Sequence, residues 1–245
     1  MSSNDPRLRG SARRRSGPYP LGQFPDSVLF EIGKLIVHRL AVGHSDITGD
    51  DFGTIFANAI GGQHRARPLG IADVVLSGCA WSVKTVSSPH PFNQTRARLI
   101  SGRNSPDFSL GIPDPHVNPQ NTGHAVLSVW NARVNEALGE HNELRIVVML
   151  RNMAAREFLI FEEEAVRFAP DDFNWGFNRR GNLEGHNRAD GNHQFTWQPH
   201  GSQFTVLRSV PGHARRFSIN RNVPIVAVES ILAASRFTPD WITIH

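Results

Sequence analysis

The sequence predicts an α/β (α+β) chain with a central mixed β-sheet flanked by helices. Three observations predict it: an apolar stripe at helical spacing near residue 30, two adjoining runs of strand formers separated by Ser77-Gly78, and a second amphipathic helix followed by two more apolar runs.

Residues 1–20 carry Arg7, Arg9, Arg13, Arg14 and Arg15 among Gly, Ser and Pro, with almost nothing to pack. That composition predicts a flexible basic arm, able to lie along phosphates or to serve as a charged tail. A single domain is expected over 21–245, long enough to bury a substantial core. Within it, Pro25-Asp26 marks a helix start, and Val28, Ile32, Leu35 and Ile36 line one face of a helix over 26–40. Glu31 lies at the edge of that face, where it either points toward a sheet or pairs with Lys34 at i+3.

The runs 70–76 and 81–86 read as a β-hairpin around Ser77-Gly78. With a two-residue turn, Leu76 faces Cys79, Val74 faces Trp81, and Asp73 falls opposite Ser82. Alternation of side chains then puts Asp73, Ser82 and Lys84 on one face. A four-residue loop instead sets Asp73 opposite Lys84, and a three-residue loop would move Asp73 to the other face. Residues 87–119 are rich in Pro, Asn and Ser and read mostly as loop, broken only at Leu99-Ile100. An amphipathic helix over 123–139, ending at Gly139, is followed by strands at 144–150 and 156–161. From 171 to 222 the density of Asn, Arg, His and Gly predicts a loop-rich, DNA-contacting lobe.

Only two of the 26 Lys and Arg residues are lysine, Lys34 and Lys84. A chain this biased toward arginine places a lysine in an apolar strand for a task guanidinium cannot perform, since an ammonium pKa can be lowered and guanidinium stays protonated. The alternatives for Lys84 are an edge-strand lysine with its head in water and a plain cross-strand ion pair with Asp73. The chemical alternative is that Asp73 holds a divalent cation while Lys84 contacts the attacking water or the scissile phosphate.

Asp73-x8-Ser82-x-Lys84 on a hairpin resembles the active-site core of the PD-(D/E)XK nucleases, particularly type II restriction endonucleases. Ala72 stands where the family has proline, and Ser82 stands where it has a second strand carboxylate. A branch of the restriction enzymes is similar in reading Ser-Val-Lys there, with a carboxylate from another element completing the metal site. The resemblance implies a nuclease-like core and hydrolysis of phosphodiester bonds in double-stranded DNA with Mg2+, for which Mn2+ may substitute. Asp73, Glu31 and Ser82 would then be the metal contacts and Lys84 the catalytic lysine, with Asp107 and Glu136 as further carboxylates ranked below Glu31. A repair or mobile-element nuclease with the same core and a noncatalytic DNA-binding module are the competing readings. A restriction enzyme also implies a homodimer on a palindromic site and a cognate methyltransferase that acts on that site without needing to bind this chain.

A net charge of +4 and a pI near 10.1 favour an anionic partner. Arg65 and Arg67 precede the hairpin, Arg96 and Arg98 follow it, and Arg215, Arg216 and Arg221 lie near the C-terminus. Base contacts are expected from Arg103, Asn104 and Ser105 on a glycine-containing loop, and from Arg179, Arg180, Gln198 and His200. No apolar stretch approaches membrane-spanning length, and the basic N-terminus lacks the apolar core of a signal peptide. The single cysteine, Cys79, excludes an internal disulfide, so an intracellular, cytoplasmic location is expected. The tract 186–193 is spaced too tightly for an HNH nuclease. Gly-x-Ser-x-Gly and Gly-x4-Gly-Lys-Ser/Thr are both absent, which excludes a hydrolase elbow and a phosphate-binding loop.

Overall fold

The computed structural model describes residues 17–65 and 71–244. Helix α1 runs over Asp26–Ala41 and α2 over Gly49–Ile60. Helix α2 is an addition to the elements expected from sequence, although its punctuation is explicit. Thr48 and Asp51 form a reciprocal capping box at its start, and Gly61 closes it at φ 71°.

Strands β1 (Gln63–His64), β2 (Val74–Leu76) and β3 (Cys79–Ser87) come next, followed by β4 (Arg96–Arg103), α3 (Pro106–Leu110) and α4 (Pro119–Glu140). Then come β5 (Glu143–Asn152), β6 (Glu157–Glu164), β7 (Phe173–Phe177), β8 (Leu183–Asn187), β9 (His193–Gln198), β10 (Gln203–Ser209), β11 (Arg215–Ser218) and α5 (Val228–Ala234). They form a mixed α/β fold with two sheets. The first has the order β1-β2-β3-β5-β6-β11, in which β3 and β5 are parallel and the other neighbours antiparallel. The second is antiparallel throughout, in the order β4-β10-β9-β8-β7.

The alternation of β3 divides the core in two. Cys79, Trp81 and Val83 pack with Ile32, Ile36, Phe52 and Phe56, so α1 and α2 cover one face of the first sheet. Ala80 and its neighbours Ile146 and Val148 pack against Val126, Trp130 and Val134 of α4 and against the second sheet through Leu99, Phe195 and Phe204. Trp175 of β7 lies so close to α4 that a Cβ on Gly123 would come within 2.1 Å of its indole.

Three expectations are corrected. Residues 87–119 are not mostly loop: β4 alternates buried Ala97, Leu99 and Ser101 with outward Arg96, Arg98 and Ile100, and arginine at the outward positions hid the period of two. The lobe at 171–222 is β7 to β11 rather than loop-rich. Its inward residues Phe173, Trp175, Leu183, Phe195, Trp197 and Phe204 are buried while Asn, Gly and His occupy the turns. The basic arm does not extend to residue 20, because Gly17 donates to Glu143 and Tyr19 is buried against Glu162. Arg7 to Arg15 and Arg67 lie outside the described residues. No helix among the described residues is long and apolar enough to cross a membrane.

Candidate active site

The hairpin adopts the two-residue turn. Ser77 (φ 47°) and Gly78 (φ 84°) both have positive φ, the combination that matches the twist of antiparallel strands. Val74 pairs with Trp81 and Leu76 with Cys79, and the Asp73 N–H donates to the Trp81 carbonyl at 2.8 Å. Asp73, Ser82 and Lys84 therefore share the face toward α4.

Asp73 Oδ2 accepts from the Val83 N–H at 2.7 Å and from the Ser82 hydroxyl at 3.4 Å, and Lys84 Nζ stands 3.8 Å from it. The side chains of Lys84 and Asp73 are 20% and 22% exposed, and Ser82 is buried. Burial lowers the Lys84 pKa below the usual lysine value, with Asp73 opposing that shift and Arg133 adding to it.

Arg133 was not anticipated from sequence. It projects from α4, donating to Asn104 Oδ1 at 2.8 Å, to the Ser101 carbonyl at 3.4 Å and to the Arg103 carbonyl. Its own pKa is lowered by burial and supported by Glu136, which sits at i+3 on the same helix. The available signal was its place between Trp130 and Val134 on the buried stripe of α4, where a cation is unusual.

No family model matches the chain, and no curated protein or solved structure does either.

Glu31 is not brought to this site. It pairs with Lys34 at 2.7 Å on α1, and α1 packs on the face of the first sheet opposite to Asp73 and Lys84. Asp107 is exposed on α3. Glu136 is exposed as well, and it is the carboxylate among these candidates that stands on α4, the helix covering the Asp73 face, at i+3 from Arg133.

Asn104 is corrected as well. It is fully buried, with Nδ2 donating to the Val126 carbonyl, Oδ1 accepting from Arg133 and its own carbonyl accepting from Trp197. It fastens the end of β4 to α4 and β9, and no edge remains for a base. Ser105 caps α3 by accepting from the Phe108 N–H, so it too serves the backbone. The glycine-containing loop expected here is the end of β4 and the start of α3.

Arg103, Gln198, His200, Arg179 and Arg180 lie along one end of the second sheet, from its β4 edge to its β7 edge. Arg103 pairs with Gln203, and Gln203 with Gln198, at the end of the second sheet that Arg133 touches. His200 lies in the following turn, while Arg179 and Arg180 occupy the turn after Phe177 at the same end. All three are exposed.

No group of three or more His, Cys, Asp or Glu side chains able to hold a metal ion occurs among the described residues. The Asp73 contacts named above all fall on Oδ2. A single carboxylate oxygen and a neighbouring hydroxyl are hard donors. Hard oxygen donors of this kind are those that divalent cations such as Mg2+ take in general.

Proposed function

We propose that the chain is a Mg2+-dependent endonuclease for double-stranded DNA with a PD-(D/E)XK core, of the type II restriction kind. The observation that carries this reading is the trio Asp73, Ser82 and Lys84 on one face of a tightly turned hairpin, with Lys84 held by burial below its usual pKa. Burial that lowers the pKa of an amine is what a proton-handling lysine uses, and it supports this reading over a solvent-exposed ion pair.

In this reading Asp73 and Ser82 would hold Mg2+, with Glu136 replacing Glu31 as the second carboxylate. The ion would supply Lewis-acid polarisation of the phosphoryl group and a lowered pKa for water. Lys84 accepts or orients the proton of the attacking water at Nζ, and the burial that lowers its pKa favours the neutral amine. Arg133 meets the negative charge that builds on the phosphate, already oriented by its bonds to Ser101 and Asn104. Arg103, Gln203, Gln198, His200, Arg179 and Arg180 then follow the duplex along the rim of the second sheet.

The test is incubation of the protein with a long duplex and Mg2+, repeated with Mn2+, beside Asp73→Ala and Lys84→Ala. Discrete fragments from the wild type and none from either variant are expected. Nonspecific degradation would point to a repair-type nuclease, and binding without cleavage by every variant would reduce the hairpin to a structural ion pair. Glu136→Gln should raise the Mg2+ concentration needed for half-maximal cleavage, and Glu31→Gln should leave it unchanged.

A further inference from the structure

The second sheet buries one face against α4 and the first sheet, and strand alternation sends every other residue to its far side. On β4 those residues include Arg96, Arg98 and Ile100, all exposed. Arg98 of β4 and Thr196 of β9, on the strands either side of β10, line a concavity of about 390 Å³ there. Its remaining wall is Glu184 of β8 and the turn between β7 and β8, which contributes Arg179 and Arg180.

That turn is closed by its own bonds. Asn178 Oδ1 accepts from the Arg180 N–H at 2.9 Å and the Asn182 N–H at 3.1 Å, the Asn178 N–H donates to the Asn182 carbonyl at 2.9 Å, and Gly181 (φ 74°) supplies the left-handed residue. The backbone carrying the two arginines is therefore set before any partner arrives.

Three guanidinium groups share this concavity, and none of them has a hydrogen-bond or carboxylate partner among the described residues. Other arginines of the sheets are paired: Arg145 with Glu162, Arg151 with Asp46, Arg208 with Glu163 and Arg215 with Asp26. The carboxylate of the concavity, Glu184, is already engaged, accepting from Asn178 Nδ2 at 2.6 Å with His186 Nε2 3.7 Å away. Unpaired like charges around one hollow repel, and an anion among them removes that repulsion. A guanidinium fork matches two oxygens of a phosphate, and forks arriving from three positions suit a tetrahedral group better than the single plane of a carboxylate.

We infer that Arg98, Arg179 and Arg180 form a site for one phosphate group, carried by a nucleic-acid strand or free in solution. The hollow is on the side of the second sheet away from α4, whereas Asp73 and Lys84 face α4, so this phosphate is not the one at the hairpin. Where the strand is duplex DNA, the site rests on the substrate proposed above and adds one fixed anchor to it; a free phosphate needs no such substrate.

The test measures binding of a short labelled duplex by fluorescence anisotropy in EDTA, across a salt titration, for the wild type and for Arg98→Ala/Arg179→Ala/Arg180→Ala. Loss of one phosphate contact should lower the slope of log affinity against log salt by about 0.9. Affinity should fall by about tenfold or more. A slope change of about 2.7 would mean three separate phosphates and overturns the shared site. Calorimetry with inorganic phosphate covers the free source: binding by the wild type that the triple variant lacks supports the site even where the duplex does not distinguish the two proteins. Glu184→Gln keeps an acceptor for Asn178 and removes the negative charge, and it should tighten whichever probe binds by about threefold. The three arginines are exposed, so circular dichroism should show the triple variant folded, and Arg221→Ala, exposed near the C-terminus, should change neither probe. Equal weakening by Arg221→Ala, or a triple variant that binds both probes as the wild type does, overturns the inference. Cleavage is read separately. A wild type that binds through these arginines without cutting sinks the nuclease and leaves the site, and one that cuts while the triple variant binds normally sinks the site alone.

Discussion

Lys84 faces Asp73 with a fifth of its side chain exposed, and burial holds its pKa below the ordinary 10.5. Between its folded value and 10.5 the unfolded chain binds one more proton than the native one, so stability rises with pH through that window. Below the window the charged, buried amine is a constant penalty. Lys84→Met should therefore leave thermal stability at neutral pH equal or higher while abolishing cleavage. A clear fall in melting temperature would make Lys84 a structural ion-pair partner instead. Lys84→Arg should keep the charge and the fold but lower the cleavage rate by about 10²- to 10⁴-fold, the usual worth of a proton-transfer group. Asn104 is the opposite case, a polar residue whose bonds are all internal. Asn104→Ala should lower unfolding free energy by about 1–3 kcal/mol in urea titrations, because it leaves a buried carbonyl and Arg133 without their partner. Its effect on target sequence should be nil.

The element that sets the site is the hairpin, because a slip of one residue would turn Asp73 away from Lys84. Ser77 and Gly78 specify the register through their positive φ. Gly78→Ala should cost about 1–2 kcal/mol, the penalty of a left-handed residue with a Cβ, as read by thermal or urea unfolding. If pairing slips as well, cleavage falls further than stability does. The hairpin was legible because turn residues, strand formers and the Asp-to-Lys spacing agree within a dozen residues. Strands β4 and β7 to β10 were less legible: their outward positions carry Arg, Asn, Gly and His, and the aromatic residues at alternate positions show the period only once the sheet partners are known.

Across the molecule, Arg145 and Glu162 tie the N-terminal segment to the first sheet. Both are essentially unexposed and meet at 2.8 Å, while Tyr19, Gly22 and Trp81 all donate to Glu162. Arg145 Nη2 donates in turn to the Tyr19 carbonyl. Glu162→Gln leaves the buried Arg145 guanidinium with Glu143 as its carboxylate partner and weakens the bonds from Tyr19, Gly22 and Trp81, and it should lower stability by about 1–3 kcal/mol in urea unfolding. A loss below about 1 kcal/mol would show that the network does not close this edge of the fold. Nothing in the spacing of residues 19, 81, 145 and 162 announces the cluster, since it exists only where β3, β5 and the N-terminal segment meet.

Local sequence determined the hairpin around Ser77-Gly78, the alternation that groups Asp73, Ser82 and Lys84 once its turn has two residues, the presence of α1, α4, β5 and β6, and the single cysteine. Those are short-range properties, set by backbone sterics and by the period of apolar residues along a few turns or strand pairs. The tertiary structure decided which carboxylate can approach the hairpin. Glu31 and Glu136 look alike on their helices, but α1 and α4 lie on opposite faces of the sheet. It also decided that Asn104 is internal and that Arg133 reaches from α4 to the end of β4. Each depends on how layers stack, and stacking is settled by the summed burial of residues far apart in the chain.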